Sequence, residues 1–279
     1  MRCRSAKATG GATCEAPRER RARGTRAAAL VRVANRSLPA SRRAAMIHLF
    51  PDLAAAAQSL AARVATEAAA AIAARGEFRL GLSGGETPVA LYRALTAEAW
   101  RARVDWSRCV LLFADERAVP VDAPERTDRL VRETLLRPLA IEESRLRPMR
   151  AEADDLNAAA RDYEREVSVP IDLLLLGAGA DGHIASLFPG GVAVGERERR
   201  VMAVFDSPKP PPRRLTLAPR AIAEARSVCV LATGEAKALA VATALSRRVP
   251  PATCPAVLVA ERDWYLDRAA GTPRGAAAG

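Results

Sequence analysis

Histidine is nearly missing from this 279-residue chain, which has only His48 and His183. Cysteine is scarce too. Cys3, Cys14, Cys109, Cys229 and Cys254 form no C-x-x-C pair, so neither a disulfide framework nor a zinc site is supported. Cys109 and Cys229 fall inside apolar, strand-like runs, where a thiol serves as a small buried hydrophobe, and a reducing cytoplasm fits. Aromatic residues make up 4% of the chain, and no basic stripe interleaved with them appears, as a single-strand nucleic-acid binder requires. No apolar stretch approaches the roughly 20 residues that span a bilayer, which predicts a soluble protein with no membrane partner. The G-K-[ST] of a nucleoside-triphosphate P-loop is absent. No G-x-S-x-G elbow surrounds Ser83, which argues against a serine nucleophile.

What is present is enough apolar sequence for a core: 49% hydrophobic residues against 27% charged. The formal net charge of +11 is not spread evenly. Residues 1–45 hold twelve Arg or Lys against Glu15 and Glu19 alone, which leaves the rest of the chain close to neutral. Basicity is thus the property of a tail, and no specific nucleic-acid partner is expected. The tail lacks the apolar centre of a secretory signal; it is Arg-rich and acid-poor, as transit peptides are. The simpler account is that translation begins at Met46, what precedes it being disordered or not translated. Residues 46–279 are read as a single domain.

From Met46 onward the pattern alternates. Asp52 can cap a helix carrying Leu60, Val64 and Ile72 on one face and ended by Gly76. A strand over Phe78–Leu82 leads into Ser-Gly-Gly-Glu-Thr-Pro, with Thr87 read as the cap of the next helix and Pro88 as its first residue. Cys109–Ala114 reads as a buried strand ending in Asp115-Glu116-Arg117. A helix through Leu130, Leu135 and Leu136 and another over Leu156–Val167 precede the most apolar strand, Ile171–Leu176. Further strands are expected at Met202–Phe205, Val228–Ala232 and Ala256–Ala260, with a helix over Glu235–Leu245. Strands alternating with helices predict an α/β fold with a mostly parallel, doubly wound sheet.

In such sheets ligands collect beyond the carboxyl ends of the strands. The unusual polar segments here all follow strands: Ser83-Gly84-Gly85, Asp115-Glu116-Arg117, Gly179 to His183, and Gly234-Glu235-Ala236-Lys237. The glycine pair at 84 and 85, before a helix N-terminus, suits a phosphate. Gly177, Gly179 and Gly182 satisfy G-x-G-x-x-G, but the dinucleotide reading fails in context. Pro189-Gly190-Gly191 cuts off any following helix, and no acid stands at a strand end about 20 residues on. The glycines instead let the chain turn so that Asp181 and His183 reach the cleft, where an imidazole beside an acid can act as a general base. His48, inside an apolar run, is read as structural. Arg213, Arg214 and Lys237 are candidates to neutralise a phosphate. The segment Ser207 to Arg213, rich in proline, reads as a stiff surface loop.

Taken in order, LSGGETP, ADERAVP, LGAGADGHIASLFPG, PPPRRLTL and TGEAK resemble the 6-phosphogluconolactonase family, a relative of the glucosamine-6-phosphate deaminases. The resemblance covers about residues 47 to 270. It implies a Rossmann-like three-layer α/β/α sandwich that hydrolyses 6-phospho-D-glucono-1,5-lactone, with no metal or organic cofactor, as a cytoplasmic monomer or small homo-oligomer. It implies His183 as general base with Asp181 beside it. Ser83, Gly84, Gly85, Arg214 and Lys237 would stand on the phosphate side, and Asp115 and Arg117 would line the cleft. Where deaminases carry a glutamate before the proline of the histidine loop, this chain has Phe188, which cannot exchange a proton. The chain departs from the family at Arg126-Thr127, where lactonases commonly show Ser-Asn.

Overall fold

Strand β1 (Ile47–Phe50) leads into α1 (Leu53–Arg75), and the capping signals work as their chemistry requires. The Asp52 carboxylate accepts the Ala55 N–H at 2.8 Å, and Gly76 ends the helix at φ 81°, donating its N–H to Ile72 O. Ala57, Leu60, Ala61, Val64, Ala68 and Ala71 make one buried face of α1 at helical spacing. The structure is a computed structural model that describes residues 46–272. The basic tail over 1–45 lies outside the described residues, as do residues 273–279.

Strand β2 (Phe78–Leu82) is buried along its whole length. It is followed by α2 (Glu86–Thr96), the short α3 (Glu98–Arg101), β3 (Cys109–Phe113) and β4 (Asp115–Arg117). Next come α4 (Thr127–Val131), α5 (Leu156–Glu166), β5 (Leu173–Gly177), β6 (Val201–Val204) and β7 (Arg214–Leu217). The chain closes with α6 (Pro219–Glu224), β8 (Ser227–Ala232), α7 (Ala238–Ser246), β9 (Asp263–Asp267) and α8 (Arg268–Gly271).

Six of these strands form one sheet in the order β1-β9-β8-β5-β2-β3. Every pairing in it is parallel. Helices flank it, giving the Rossmann-like three-layer α/β/α arrangement. The near-continuous apolar runs of β3 and β5 follow from burial on both faces. Cys109, Cys229 and Cys254 are buried free thiols. Among the described residues no helix is long and apolar enough to cross a membrane.

Some expectations need correction. The helix after the glycine pair starts at Glu86 and has Gly85, at φ 99°, in the capping position without a side-chain cap bond. Thr87 is therefore inside its first turn and Pro88 is the third residue, where a missing N–H still costs no helical bond. Ala256–Ala260 is not a strand. Pro255–Val259 winds as a short 3₁₀ turn, and the Ala256 N–H bonds Gly182 O at 2.9 Å. The place beside β8 goes to β9, whose Trp264, Tyr265 and Leu266 are all buried and suit a pleated surface better than an alanine- and proline-containing run. Finally, Asp115–Arg117 does not simply end β3. It is β4 of a second, antiparallel sheet of order β4-β7-β6, which also takes the strand expected at Met202–Phe205.

Candidate active site

One cleft of about 200 Å³ at the carboxyl ends of β2 and β5 is lined by residues from all four polar segments: Ser83, Gly84, Gly85, Asp115, Arg117, Gly179, His183 and Lys237. Arg214, Thr87, Ala185 and Glu86 complete much of its wall. Asp181, expected to reach the cleft with His183, does not line it: it is exposed on the loop and meets the cleft only through the His183 ring.

The glycine loop is pinned from beneath. Ser83 Oγ donates to Leu175 O on β5 at 2.8 Å. Tyr92 Oη donates to Ser83 O at 2.6 Å and accepts the Ser83 N–H at 3.2 Å. The serine hydroxyl thus anchors the glycine loop to the sheet. Tyr92 carries no sequence signal beyond its place on an apolar helix face. Above the loop, α2 begins with no side chain on its first N–H groups, leaving the positive end of its dipole toward the cleft. Lys237 reaches across to Thr87 Oγ1 at 3.4 Å. Burial, then the charge of Lys209, lowers the Lys237 pKa from the ordinary lysine value, against the pull of Asp267.

On the other side, Asp181 Oδ1 lies 2.5 Å from His183 Nδ1. The same oxygen accepts the His183 N–H at 3.3 Å. Gly179 makes this approach feasible, because a Cβ there would overlap the His183 ring and come within 2.5 Å of Asp181 Oδ1. Burial lowers the His183 pKa below the ordinary imidazole value. Asp181 and Asp115 oppose that shift, and Lys209 adds to it. Burial works to raise Asp181, yet the hydrogen bond and charge of His183, with Lys209, hold it below the usual carboxylate range. Phe188 packs its ring on the imidazole, 4.8 Å between centroids.

Asp115 is buried and accepts from Ser186 Oγ at 2.7 Å. Arg214, also buried, spends most of its donors on the proline-rich loop. Nε bonds Pro211 O at 3.0 Å, and Nη2 bonds Lys209 O and Pro210 O, each at 3.1 Å. Only Nη1 faces Ser186 Oγ, at 3.5 Å, and Asp115 Oδ2, at 4.0 Å. Arg117 gives Nη1 to Glu125 O at 2.6 Å, and its buried Nε has no partner. Arg213 lies outside the cleft, over the Phe205 ring.

The unusual Arg126-Thr127 pair is a buried brace behind the cleft. Arg126, 2% exposed, pairs with Asp128 through Nε at 2.9 Å and Nη2 at 3.1 Å, and with Glu152 through Nη1 at 2.9 Å. Glu116 lies 3.6 Å from its Nε and accepts the N–H groups of Arg117, Thr127 and Asp128, each at 2.8 Å. Burial pushes Glu116 up to about 7 even so. Thr127 Oγ1 is buried without a partner, and a Cβ on Gly84 would stand 2.5 Å from it. His48 sits on the edge strand β1, stacked on Tyr265 at 4.6 Å, as its structural reading expects. Among the described residues, no three His, Cys, Asp or Glu side chains gather as a metal site.

Comparison with known proteins follows the same line. A model of the family described as glucosamine-6-phosphate isomerases/6-phosphogluconolactonase matches residues 51–266. The 6-phosphogluconolactonase of Mycobacterium tuberculosis is 40% identical over 237 residues, covering 80% of this chain and 95% of that one. That of Rattus norvegicus is 42% identical over 226 residues, covering 76% and 87%. Among solved structures, a 6-phosphogluconolactonase from Shewanella baltica matches with a TM-score of 0.71 at 28% identity, covering 80% of this chain and 97% of that one.

Proposed function

The chain belongs to the glucosamine-6-phosphate isomerase/6-phosphogluconolactonase family, and from that premise we propose that it hydrolyses 6-phospho-D-glucono-1,5-lactone to 6-phospho-D-gluconate in the oxidative pentose phosphate pathway. The observation that carries this reading is His183, held by Asp181 at 2.5 Å, on the same cleft as the glycine loop and Lys237.

The phosphate is held by the Ser83-Gly84-Gly85 turn, the N-terminus of α2 and Lys237. That binding energy fixes the lactone carbonyl beside His183, replacing a random encounter with a positioned one. With Nδ1–H donated to Asp181, the neutral ring accepts a proton at Nε2 from water as the oxygen attacks C1. The C1 carbonyl becomes an oxyanion, and Asp181 stabilises the imidazolium. When the tetrahedral centre collapses, the C1–O5 bond breaks and the imidazolium returns its proton to O5. The products are the 5-hydroxyl and a carboxylic acid at C1, which releases the second proton of the water to solvent to become the carboxylate, and the ring is neutral again. No covalent enzyme intermediate is involved.

Phe188 favours the lactonase over the deaminase within the family. An apolar ring, 3% exposed, stands at the position before the proline, where ring opening of an amino sugar calls for a proton-exchanging glutamate. The test is an assay with freshly made 6-phosphogluconolactone, coupled to a dehydrogenase that consumes the product. The unphosphorylated lactone and glucosamine 6-phosphate are run beside it. Turnover of the phosphorylated lactone alone supports the reading, and ammonia release from the amino sugar replaces it with deamination.

A further inference from the structure

The loop joining β6 to β7 carries a lysine among prolines, Ser207-Pro208-Lys209-Pro210-Pro211-Pro212. Its backbone is held from two directions. Ser207 Oγ donates to Lys209 O at 2.8 Å and accepts the Lys209 N–H at 3.2 Å. Arg214 Nη2 donates to Lys209 O from the other side at 3.1 Å. The side chain then crosses to the histidine loop, where Nζ lies 3.2 Å from Asp181 Oδ2 and 3.2 Å from His183 Nδ1.

An ammonium offers donors only. Since Nδ1 is 2.5 Å from Asp181 Oδ1, a hydrogen on Nδ1 points to that oxygen, and no nitrogen lone pair remains for Lys209. The ammonium therefore bonds Oδ2, and the carboxylate bridges lysine and imidazole with one oxygen each. We propose that Lys209 is a positioning residue for the hydrolysis, acting through Asp181: it fixes the carboxylate oxygen that does not meet the ring, and so selects the neutral imidazole with its acceptor at Nε2.

The charges around the ring, set beside its burial, give this role its direction. Asp181, on the same loop, and Asp115, on β4, both favour the imidazolium, which cannot accept a proton from water. Lys209 opposes them from the proline loop. Arg214 on β7 lies across the Phe188 ring from the imidazole, 5.6 Å from that ring, and with Arg117 and Lys237 lines the same cleft. An aspartate alone would orient the imidazole but pull it toward the imidazolium, against the effect of burial. Lysine and aspartate together orient it and leave it basic.

The kinetic consequence rests on the lactonase reading, whereas the effect on the ring does not, so two measurements separate them. Imidazole ¹⁵N resonances of the full chain are followed against pH, with His183→Gln assigning the two rings. In Lys209→Met, His183 is expected to bind its proton about three- to tenfold more tightly, and Lys209→Arg is expected to restore the original titration. In the lactone assay, Lys209→Met is expected to lower kcat about tenfold at unchanged KM, with its acid limb moved to higher pH. The lysine side chain is 44% exposed, and thermal unfolding of the variant checks that the fold persists. A His183 titration unchanged in Lys209→Met overturns the proposal. So does a raised KM with kcat retained, which would make Lys209 a phosphate ligand. A wild-type protein without lactonase activity would remove the proposed function, and the ring titration would still decide the role of Lys209.

Discussion

The Phe188 ring lies against the His183 imidazole, 4.8 Å between centroids and tilted by 32°, and the Arg214 guanidinium packs on the same phenyl ring at 5.6 Å. The aromatic side chain separates the base from a buried arginine and excludes water from that side of the imidazole. Phe188→Leu keeps the apolar wall and is expected to keep lactonase activity within about fivefold, since the change costs packing rather than chemistry. Phe188→Glu puts an acid beside His183, which favours the imidazolium. It is expected to lower kcat and to move the acid limb of the pH profile upward. Steady-state kinetics of the two variants check the contrast, and equal losses would show that Phe188 matters only for packing.

The proposed base has a testable pH signature. Activity needs the neutral ring, and burial holds the His183 pKa below its ordinary value. The acid limb of kcat/KM is therefore expected to have its midpoint below about 6.5, leaving the base competent through neutral pH. Asp181→Asn removes the strongest influence raising that pKa. The limb is expected to move lower still while kcat falls, because the ring loses the carboxylate charge that stabilises its protonated form and the amide NH2 can turn to Nδ1 and favour the wrong tautomer. His183→Ala is expected to lower kcat by about 10²- to 10⁴-fold with KM little changed, once spontaneous lactone hydrolysis is subtracted.

Gly179 gives a test in which no polar group is touched. A methyl there would overlap the His183 ring, so Gly179→Ala forces the imidazole away from Asp181. Its loss of kcat is expected to approach that of His183→Ala, because a displacement of about 1 Å in a catalytic group costs on the order of 10²-fold. Gly195, outside the cleft lining and with nothing within 4 Å of an added Cβ, is the control. Gly195→Ala is expected to keep most of the activity, and the pair is compared by kcat alongside thermal unfolding.

Much of this was legible in the sequence because the main sheet is parallel. Once Phe78–Leu82, Cys109–Phe113 and Ser227–Ala232 are strands running the same way, the polar turns that follow them have one edge on which to meet. The contributors that were not legible act across long sequence separations. Lys209 meets His183 from 26 positions away, and Ser186 meets Asp115 across 71; neither carries a local pattern. The proline-rich loop gave a cue to stiffness but none to what the stiffness aims. Strand β7 was hidden because two arginines precede Leu215, and the inward turn of Arg214 shows only in the second sheet. Strand β9 was displaced in the reading by the more uniformly apolar run before it, since hydrophobicity alone does not tell a buried turn from a buried strand.

The cluster behind the cleft yields a stability prediction with a definite pH sign. Arg126→Ser installs the residue that lactonases commonly carry there, but it leaves Glu116, Asp128 and Glu152 in place around the vacated guanidinium. Asp128 keeps Arg132 at 2.7 Å, and Glu116 keeps its three backbone N–H donors. Neither keeps its buried cationic partner. Breaking one side of such a network typically costs about 3–5 kcal/mol, equivalent to a fall of roughly 10 °C in Tm for a domain of this size. Burial already raises Glu116 to about 7, and losing Arg126 raises it further, so proton uptake relieves the variant more readily than the parent. Its penalty is therefore expected to be largest above pH 7 and to shrink as pH falls toward 5. Glu116 lies between Asp115 and Arg117 yet faces away from the cleft, so KM at temperatures well below unfolding is expected to change little. Thermal unfolding of parent and variant across that pH range is the check. A penalty independent of pH would mean that Glu116 is not the group left exposed to its own charge.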